Sequence, residues 1–444
     1  MATPRIIPRP DHPISRKDID HDTLKVMYKL KDAGFEAYLV GGAVRDLLMG
    51  KKPKDFDVAT NARPRDLRRL FRNSREVGRR FRLIHVFFGP KNVEVATLRS
   101  AIEPPDGSDD LYIDDDNQWG DLESDAFRRD FTVNSLFYDI RDFAVIDYTG
   151  GVEDIRDRLV RAIGDPRTRF AEDPVRMLRA IKFAARFGFD FETQTAVGLA
   201  ASLEGIHKAS RFRVTEEIFR TIIQANRENG LRLLWQAGML HQLYPDWVKE
   251  IGEDGFAQIL EYFRNVDQAA EQGWFYPLEI LATGLFVPLL DTVDVGRDNF
   301  NQVAARVTAE VRELGLKMEL PKRLINSVVE LLRAQLYLLF FAHLSKRVRR
   351  FAASPWFDQA WRVHELAFGQ VAELEPVRQT WIAARESLGS QIGGLADSPD
   401  RRDIFSFRGR TGGGRLPNGR NGAADEVEDD AEFVEPELVD DGEA

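Results

Sequence analysis

Leu39-Val40-Gly41-Gly42-Ala43-Val44-Arg45-Asp46, followed by Asp55-Phe56-Asp57-Val58-Ala59-Thr60, is the part of this chain on which its fold turns. An apolar run that closes on paired glycines predicts a strand ending in a tight turn, because glycine tolerates backbone angles that other residues avoid. The helix predicted to begin near Ala43 aims its positive N-terminal end over that turn. Backbone N–H groups with no Cβ in front of them can then approach a phosphate closely. A purely structural turn accounts for a Gly-Gly pair equally well, so the pair needs company.

Asp55-Phe56-Asp57 supplies it. On a strand, residues i and i+2 point to one side, roughly 6.6 Å apart, so Asp55 and Asp57 would share a face while Phe56 turns to the core. Two carboxylates so placed repel each other, and a divalent cation removes the repulsion. In nucleotidyl transfer, two Mg²⁺ ions about 3.5–4 Å apart can be bridged by such groups, one activating a 3′ hydroxyl and the other steadying a triphosphate. The competing account is a solvated turn with two surface aspartates. A third carboxylate fits the same plan. In Asn92-Val93-Glu94-Val95-Ala96-Thr97-Leu98 the valines share one face and Glu94 takes the other, as an ordinary edge-strand Glu would too.

Further along, Arg128-Arg129-Asp130-Phe131-Thr132-Val133-Asn134 offers guanidinium groups able to clamp phosphate oxygens bidentately. Asp130 and Asn134 suit a ribose hydroxyl, or the orienting of those arginines. In Glu172-Asp173-Pro174-Val175-Arg176-Met177-Leu178-Arg179-Ala180-Ile181, Asp173 and Pro174 read as N-cap and first helical residue. Arg176 and Arg179 then lie three apart on one face. A cap beside a fixed guanidinium could read the edge of a nucleotide base, and capping alone is the alternative.

Outward from these motifs the chain divides by composition. Residues 1–20 are rich in Pro and charge and are expected to be a flexible lead-in. Short β-rich runs (Ala37 to Val40, Phe81 to Phe88, Val93 to Leu98) alternate with helical stretches up to residue 163, predicting an α/β head over 21–163. Residues 164–250 and 251–388 read as helical throughout, a neck and a body, so the expected fold class is α+β. From 389 to 444 Gly and Arg give way to Asp and Glu with few large apolar residues, and that tail is expected to be disordered.

The 444 residues carry a net charge of −10, which by itself argues against a nucleic-acid partner. Residues 421–444 contain eleven Asp and Glu and no Lys or Arg; with those eleven charges set aside, the other 420 residues stand at +1. Six arginines fall in 401–420, and Arg408, Arg410, Arg415 and Arg420, set among glycines, suit RNA binding without sequence preference. There is no cysteine and no paired histidine spacing, so neither disulfides nor a zinc site are expected. Residues 1–10 lack a signal-peptide core, and the longest apolar stretch, Leu336 to Ala342, is far shorter than the ~18 residues a spanning helix needs. A cytoplasmic protein is expected.

From about Ala37 to Gly188 the ordered motifs resemble the nucleotidyltransferase branch that contains the bacterial poly(A) polymerases and their CCA-adding relatives. The resemblance implies that Asp55 and Asp57 are the catalytic metal pair, that Asp130 is a further active-site residue, and that Gly41, Gly42 and Arg45 form the phosphate-binding turn. It also implies that Asp173 and Arg176 contact the incoming base, with Arg129, Asn134 and Arg179 beside the nucleotide. Gly78-Arg79-Arg80-Phe81-Arg82-Leu83-Ile84-His85-Val86 is similar to a run that marks the poly(A) polymerases within the branch. There Arg79, Arg80 and Arg82 would gather positive charge for a polyanionic strand. The implied activity is template-independent addition of adenylate from ATP to RNA 3′ ends with Mg²⁺, releasing pyrophosphate. CCA addition to tRNA and an idle RNA-binding protein on the same scaffold are the alternatives. Two features depart from the family pattern: the acidic segment 104–120, with Asp109, Asp110, Asp114, Asp115 and Asp116, and the acidic end of the tail.

Overall fold

In the computed structural model, residues 3–388 are described apart from 79–82, 101–118, 225, 292, 295–296, 298 and 344. Arg79, Arg80 and Arg82, most of the acidic segment, and the tail with Arg408, Arg410 and Arg415 therefore lie outside the described residues.

The head is built on an eight-stranded sheet, with β1 (Arg5–Ile7), β2 (Tyr38–Val40), β3 (Asp57–Thr60), β4 (Ser74–Val77), β5 (Leu83–Phe88), β6 (Lys91–Thr97), β7 (Leu136–Asp139) and β8 (Val145–Asp147) in the order β1-β8-β7-β2-β3-β6-β5-β4. Every pairing is antiparallel except β3 with β6, which run parallel with Val58 opposite Val95. Residue alternation sends Leu39, Val58, Ile84, Val86, Val93, Val95 and Leu136 into one core. The helices α1 (His21–Asp32), α2 (Gly42–Leu48) and α3 (Pro64–Leu70) cover that face with Val26, Leu30, Val44, Leu47 and Leu67. On the opposite face Tyr38, Val40, Ala59 and Phe137 make a smaller core under α4 (Leu122–Phe127), which contributes Ala126.

The N-terminal segment differs from expectation. β1 pairs with β8, and Ile7, Ile14 and Ile19 are buried in the head core, so residues 5–19 belong to the head. Three isoleucines spread among prolines and charges carry enough apolar area to dock the segment, a pattern that composition averages away.

Beyond β8, α5 (Gly151–Asp157) leads to β9 (Leu159–Val160), which pairs in parallel with β10 (Asp190–Phe191). Between them lie α6 (Pro166–Glu172) and α7 (Val175–Phe187). The rest of the described chain is helical: α8 (Thr193–Ser202), α9 (Arg211–Ile223), α10 (Arg227–Gln236), α11 (Met239–Leu243), α12 (Pro245–Glu271), α13 (Leu278–Gly284), α14 (Phe300–Lys317), α15 (Lys322–Phe341), α16 (Ser345–Ala352), α17 (Phe357–Phe368) and α18 (Glu375–Ser387). One continuous apolar core runs from Phe131 and Val133, on the loop before β7, through α7 and α9 into α12 and α15. α15 is long and apolar enough to cross a membrane by length and composition. More than half of its apolar window is buried, however, and it packs against α13, α14 and α17 as a core helix.

A buried histidine makes this body sensitive to acid. His364 on α17 is fully enclosed, with Nδ1 3.3 Å from Gln335 Oε1 on α15 and no partner for Nε2 among the described residues. Burial, helped by Arg378, pushes its pKa from 6.5 down to about 4. Because the folded-state value lies below the unfolded one, the contribution is fully present above pH ~6.5. It falls as the unfolded chain takes up a proton that the folded chain refuses, reaching about 2 kcal/mol of loss by pH ~5. Urea unfolding at pH 7 and pH 5 should show that loss in the parent protein and a correspondingly smaller one in His364→Gln. Equal pH dependence in the two would rule the histidine out as its source.

Candidate active site

β2 delivers the chain to Gly41, whose φ of +62° only glycine adopts without strain, and α2 starts at Gly42. A Cβ on Gly41 would also stand 3.0 Å from Arg129 Nη1, so the guanidinium would have to give way. The turn is braced from below by Arg45. Its guanidinium is buried, donates to Asp46 Oδ1 at 2.7 and 2.9 Å and to Asn134 Oδ1, and lies 4.3 Å from the Phe187 ring centroid. Arg45, expected at the phosphates, thus lies beside the turn with its guanidinium paired to Asp46 and Asn134.

Register assembles the carboxylates. Val58 opposite Val95 in the parallel pair sets Asp57 beside Glu94 on the face shared with Ala59, and Val40 opposite Asp57 brings the glycine turn to the same place. Asp55 precedes the strand, in the loop after Pro53, so the expected i, i+2 alternation does not extend to it. Among the described residues no three His, Asp or Glu side chains close into a ready-made metal cage. Asp57 is nevertheless solvent-accessible within a recess crowded by protein. Its carboxyl is pushed from 3.8 up to about 6, mainly by lost hydration, then by the charges of Glu94 and Asp55, with Arg129 opposing. Converging negative charge that the protein leaves largely uncompensated is what a divalent cation would relieve, so these residues fit one. Glu94 is itself steadied: His85 Nε2 lies 3.5 Å from its Oε1, while Asn92 Nδ2 donates to His85 Nδ1 at 2.6 Å.

The Arg-Arg-Asp segment is an ordered network. Asp125, buried at the end of α4, takes Arg128 at 2.6 Å and Arg129 at 3.0 Å, and the two guanidinium groups hold its pKa down against burial. Arg129 also donates to the Asn134 carbonyl at 3.1 Å, which fixes it beside Gly41. Asp130 Oδ1 accepts from the Phe131 N–H at 2.9 Å and from Asn134 Nδ2 at 3.3 Å. Its Oδ2 takes Arg179 of α7 at 2.6 Å, and that pairing outweighs burial and keeps Asp130 ionised. Arg169 of α6 caps the carbonyls of Arg128 and Arg129 at 2.9 and 3.0 Å. The loop is thus pinned to the neck on both sides.

Asp173 and Arg176 meet only through the backbone, the Arg176 N–H donating to the Asp173 carbonyl at 3.0 Å, and their side chains do not pair. Asp173 caps the Val175 N–H at 3.2 Å, but both its oxygens are taken by Arg213 of α9, at 2.7 and 3.1 Å. Arg176 donates to Glu172 and to the Arg169 carbonyl, each at 2.9 Å. Arg213 and Asp125 escaped sequence reading. Asp125 could have been found from its i, i+3 and i, i+4 spacing to the two arginines, whereas nothing local marks Arg213.

A mixed sheet that carries adjacent carboxylates beside a glycine turn at a helix start, followed by an all-helical neck and body, defines a nucleotidyltransferase-type catalytic head on a helical chain. Residues 37–161 match the poly A polymerase head domain, and residues 188–250 match the family described as the probable RNA and SrmB-binding site of polymerase A. The chain is 37% identical to poly(A) polymerase I of Salmonella typhimurium over 416 residues, covering 89% of each chain. It is also 37% identical to poly(A) polymerase I of Escherichia coli O157:H7, covering 96% of this chain and 95% of that one. A CCA-adding enzyme solved with ATP shares the fold, with a TM-score of 0.57, 20% identity and 85% of each chain covered. The chain belongs to the poly(A) polymerase family.

The Asp130–Arg179 pair is the contact most exposed to test. Arg179→Met leaves a nearly buried carboxylate unpaired and should cost on the order of 3 kcal/mol in urea unfolding. Asp130→Asn in the same chain should recover part of that loss. An unchanged midpoint in Arg179→Met would mean the pair contributes nothing to joining loop and neck.

Proposed function

We infer that this protein adds adenylate residues, without a template, to RNA 3′ ends, taking them from ATP and releasing pyrophosphate. The observation that carries the inference is the parallel β3–β6 register, which sets Asp57 beside Glu94 at the foot of the Gly41–Gly42 turn and within the field of Arg129. Family membership supports the same reading over almost the whole chain.

In this reading Asp55, Asp57 and Glu94 hold Mg²⁺, which when bound activates the 3′ hydroxyl and offsets charge developing on the triphosphate. The protein's own groups orient the reactants. The Gly41 turn and the first N–H groups of α2 receive phosphate oxygens without a side chain in the way, and Arg129, fixed by Asp125 and Asn134, faces the same oxygens. Asp130, Arg179, Asp173 and Arg176 line the nucleotide side from loop and neck, with Arg45 and Asn134 as braces. Arg79, Arg80, Arg82, Arg408, Arg410 and Arg415 supply basic contacts to RNA. The proposed division is a catalytic head to residue 163, a neck over 164–250, a body over 251–388 and a tail over 389–444, in a cytoplasmic protein.

Purified protein with Mg²⁺ should build an adenylate ladder from ATP alone, both on generic RNA and on tRNA lacking its CCA end. A short addition confined to tRNA and requiring CTP would overturn the reading in favour of CCA addition, and RNA binding with no incorporation would leave only a binding protein. Asp57→Asn should reduce turnover to background while melting no lower than the parent, because it removes one of three mutually repelling charges. Retained activity would remove Asp57 from the site.

A further inference from the structure

Register pairs Glu94 with His85 across β6 and β5, and His85 with Arg75 across β5 and β4, continuing the line that starts at Asp57. With strands ~4.8 Å apart, the row Asp57, Glu94, His85, Arg75 spans about 14 Å. Alternation adds Val77, Leu83 and Phe87 to the same face.

This side of the sheet is uncovered among the described residues. α1 and α3, the helices that touch β4, β5 and β6, pack Val26, Leu30, Leu67 and Phe71 against Ile84, Val86, Val93 and Val95 on the other side. α4 and its small core reach only Tyr38, Val40, Ala59, Leu98 and Phe137. Phe87 remains 40% exposed and Val77 39% exposed, and the Phe87 ring centroid lies 6.4 Å from that of His85, whose ring is fixed by Asn92 and Glu94. Arg75 is exposed and, among the described residues, meets no carboxylate within 4 Å; by contrast, Arg128, Arg129, Arg169, Arg176 and Arg213 are all paired.

We propose that this face seats the last nucleotides of a single-stranded RNA, with Phe87 stacking on a base and Arg75 holding a phosphate, so that the 3′ hydroxyl reaches Asp57 and Glu94. The orientation of the hydroxyl rests on the function proposed above; the seating of the strand rests on the surface itself. The two sides of β3 divide the substrates. The β2 side presents the glycine turn and a helix start, which suit a triphosphate. The β6 side presents an aromatic and an exposed guanidinium along a row, which suit a strand of alternating bases and phosphates. Stacking on an exposed aromatic is indifferent to base identity, as a polymer of unspecified sequence requires.

The test uses the full chain with Phe87→Ala, Arg75→Gln and the conservative Phe87→Tyr. It reads the Kd for a dye-labelled oligoadenylate by anisotropy and the KM for RNA and for ATP by steady-state extension. Phe87→Ala should weaken the Kd and raise the KM for RNA about tenfold, Arg75→Gln severalfold, and Phe87→Tyr should restore the parent values. The KM for ATP should not move. A Kd within twofold of the parent in both Phe87→Ala and Arg75→Gln overturns the inference, whatever the extension assay shows. Weakened binding in the variants of a parent protein that incorporates nothing would support the surface and overturn the proposed activity instead.

Discussion

The head depends on one parallel pairing in an otherwise antiparallel sheet. A parallel neighbour cannot be reached by a tight turn, so the chain between β3 and β6 has to leave the sheet and come back. It does so through α3 and the β4–β5 pair, which returns β6 to lie beside β3. That detour has two results. It sets Asp57 and Glu94 side by side, and it builds out the edge of the sheet on which Arg75, His85 and Phe87 stand. Moving the β3–β6 register by one residue would turn Glu94 toward the core and expose Val93 or Val95, so burial of the valines fixes the position of the carboxylate.

The second layer of organisation is charge. In the loop before β7 each guanidinium has a carboxylate or carbonyl to hold it, and each carboxylate a partner that offsets its lost hydration. Phe131 and Val133 of the same loop are buried in the helical core, so the position of Asp130 is set by packing in the neck as much as by the sheet. Asp57 is the exception to the matched pattern, surrounded by negative charge with Arg129 as the main offset. Negative charge left in this way beside Glu94 and Asp55 is charge that a bound cation would offset.

Much of this was legible in advance. Alternating valines around Glu94 gave its face correctly, because burial on one side of a strand writes a period of two into the sequence. The helical body was readable from its composition. The strand start was placed too early: β3 begins at Asp57, after a loop containing Pro53, and alternation carries no information about Asp55 beyond the strand end. The pairing of Arg45 with Asp46 and with the distant Asn134 was not legible, because sequence does not show which partners a guanidinium beside a turn takes. The Asp173–Arg213 contact joins residues far apart in sequence across two helices, and no local signal foretells it.

The same edge that leaves a sheet face open also has to stop the sheet from growing. An unpaired strand with one uncovered apolar face invites another copy to add itself. Here the two outer strands are short, three residues in β1 and four in β4, and each carries charge, Arg5 on one and Arg75 with Glu76 on the other. Charge at Arg75 and Glu76 disfavours strand addition at the β4 edge. A sheet capped in this way keeps an apolar face available in solution without that face becoming the seed of an aggregate.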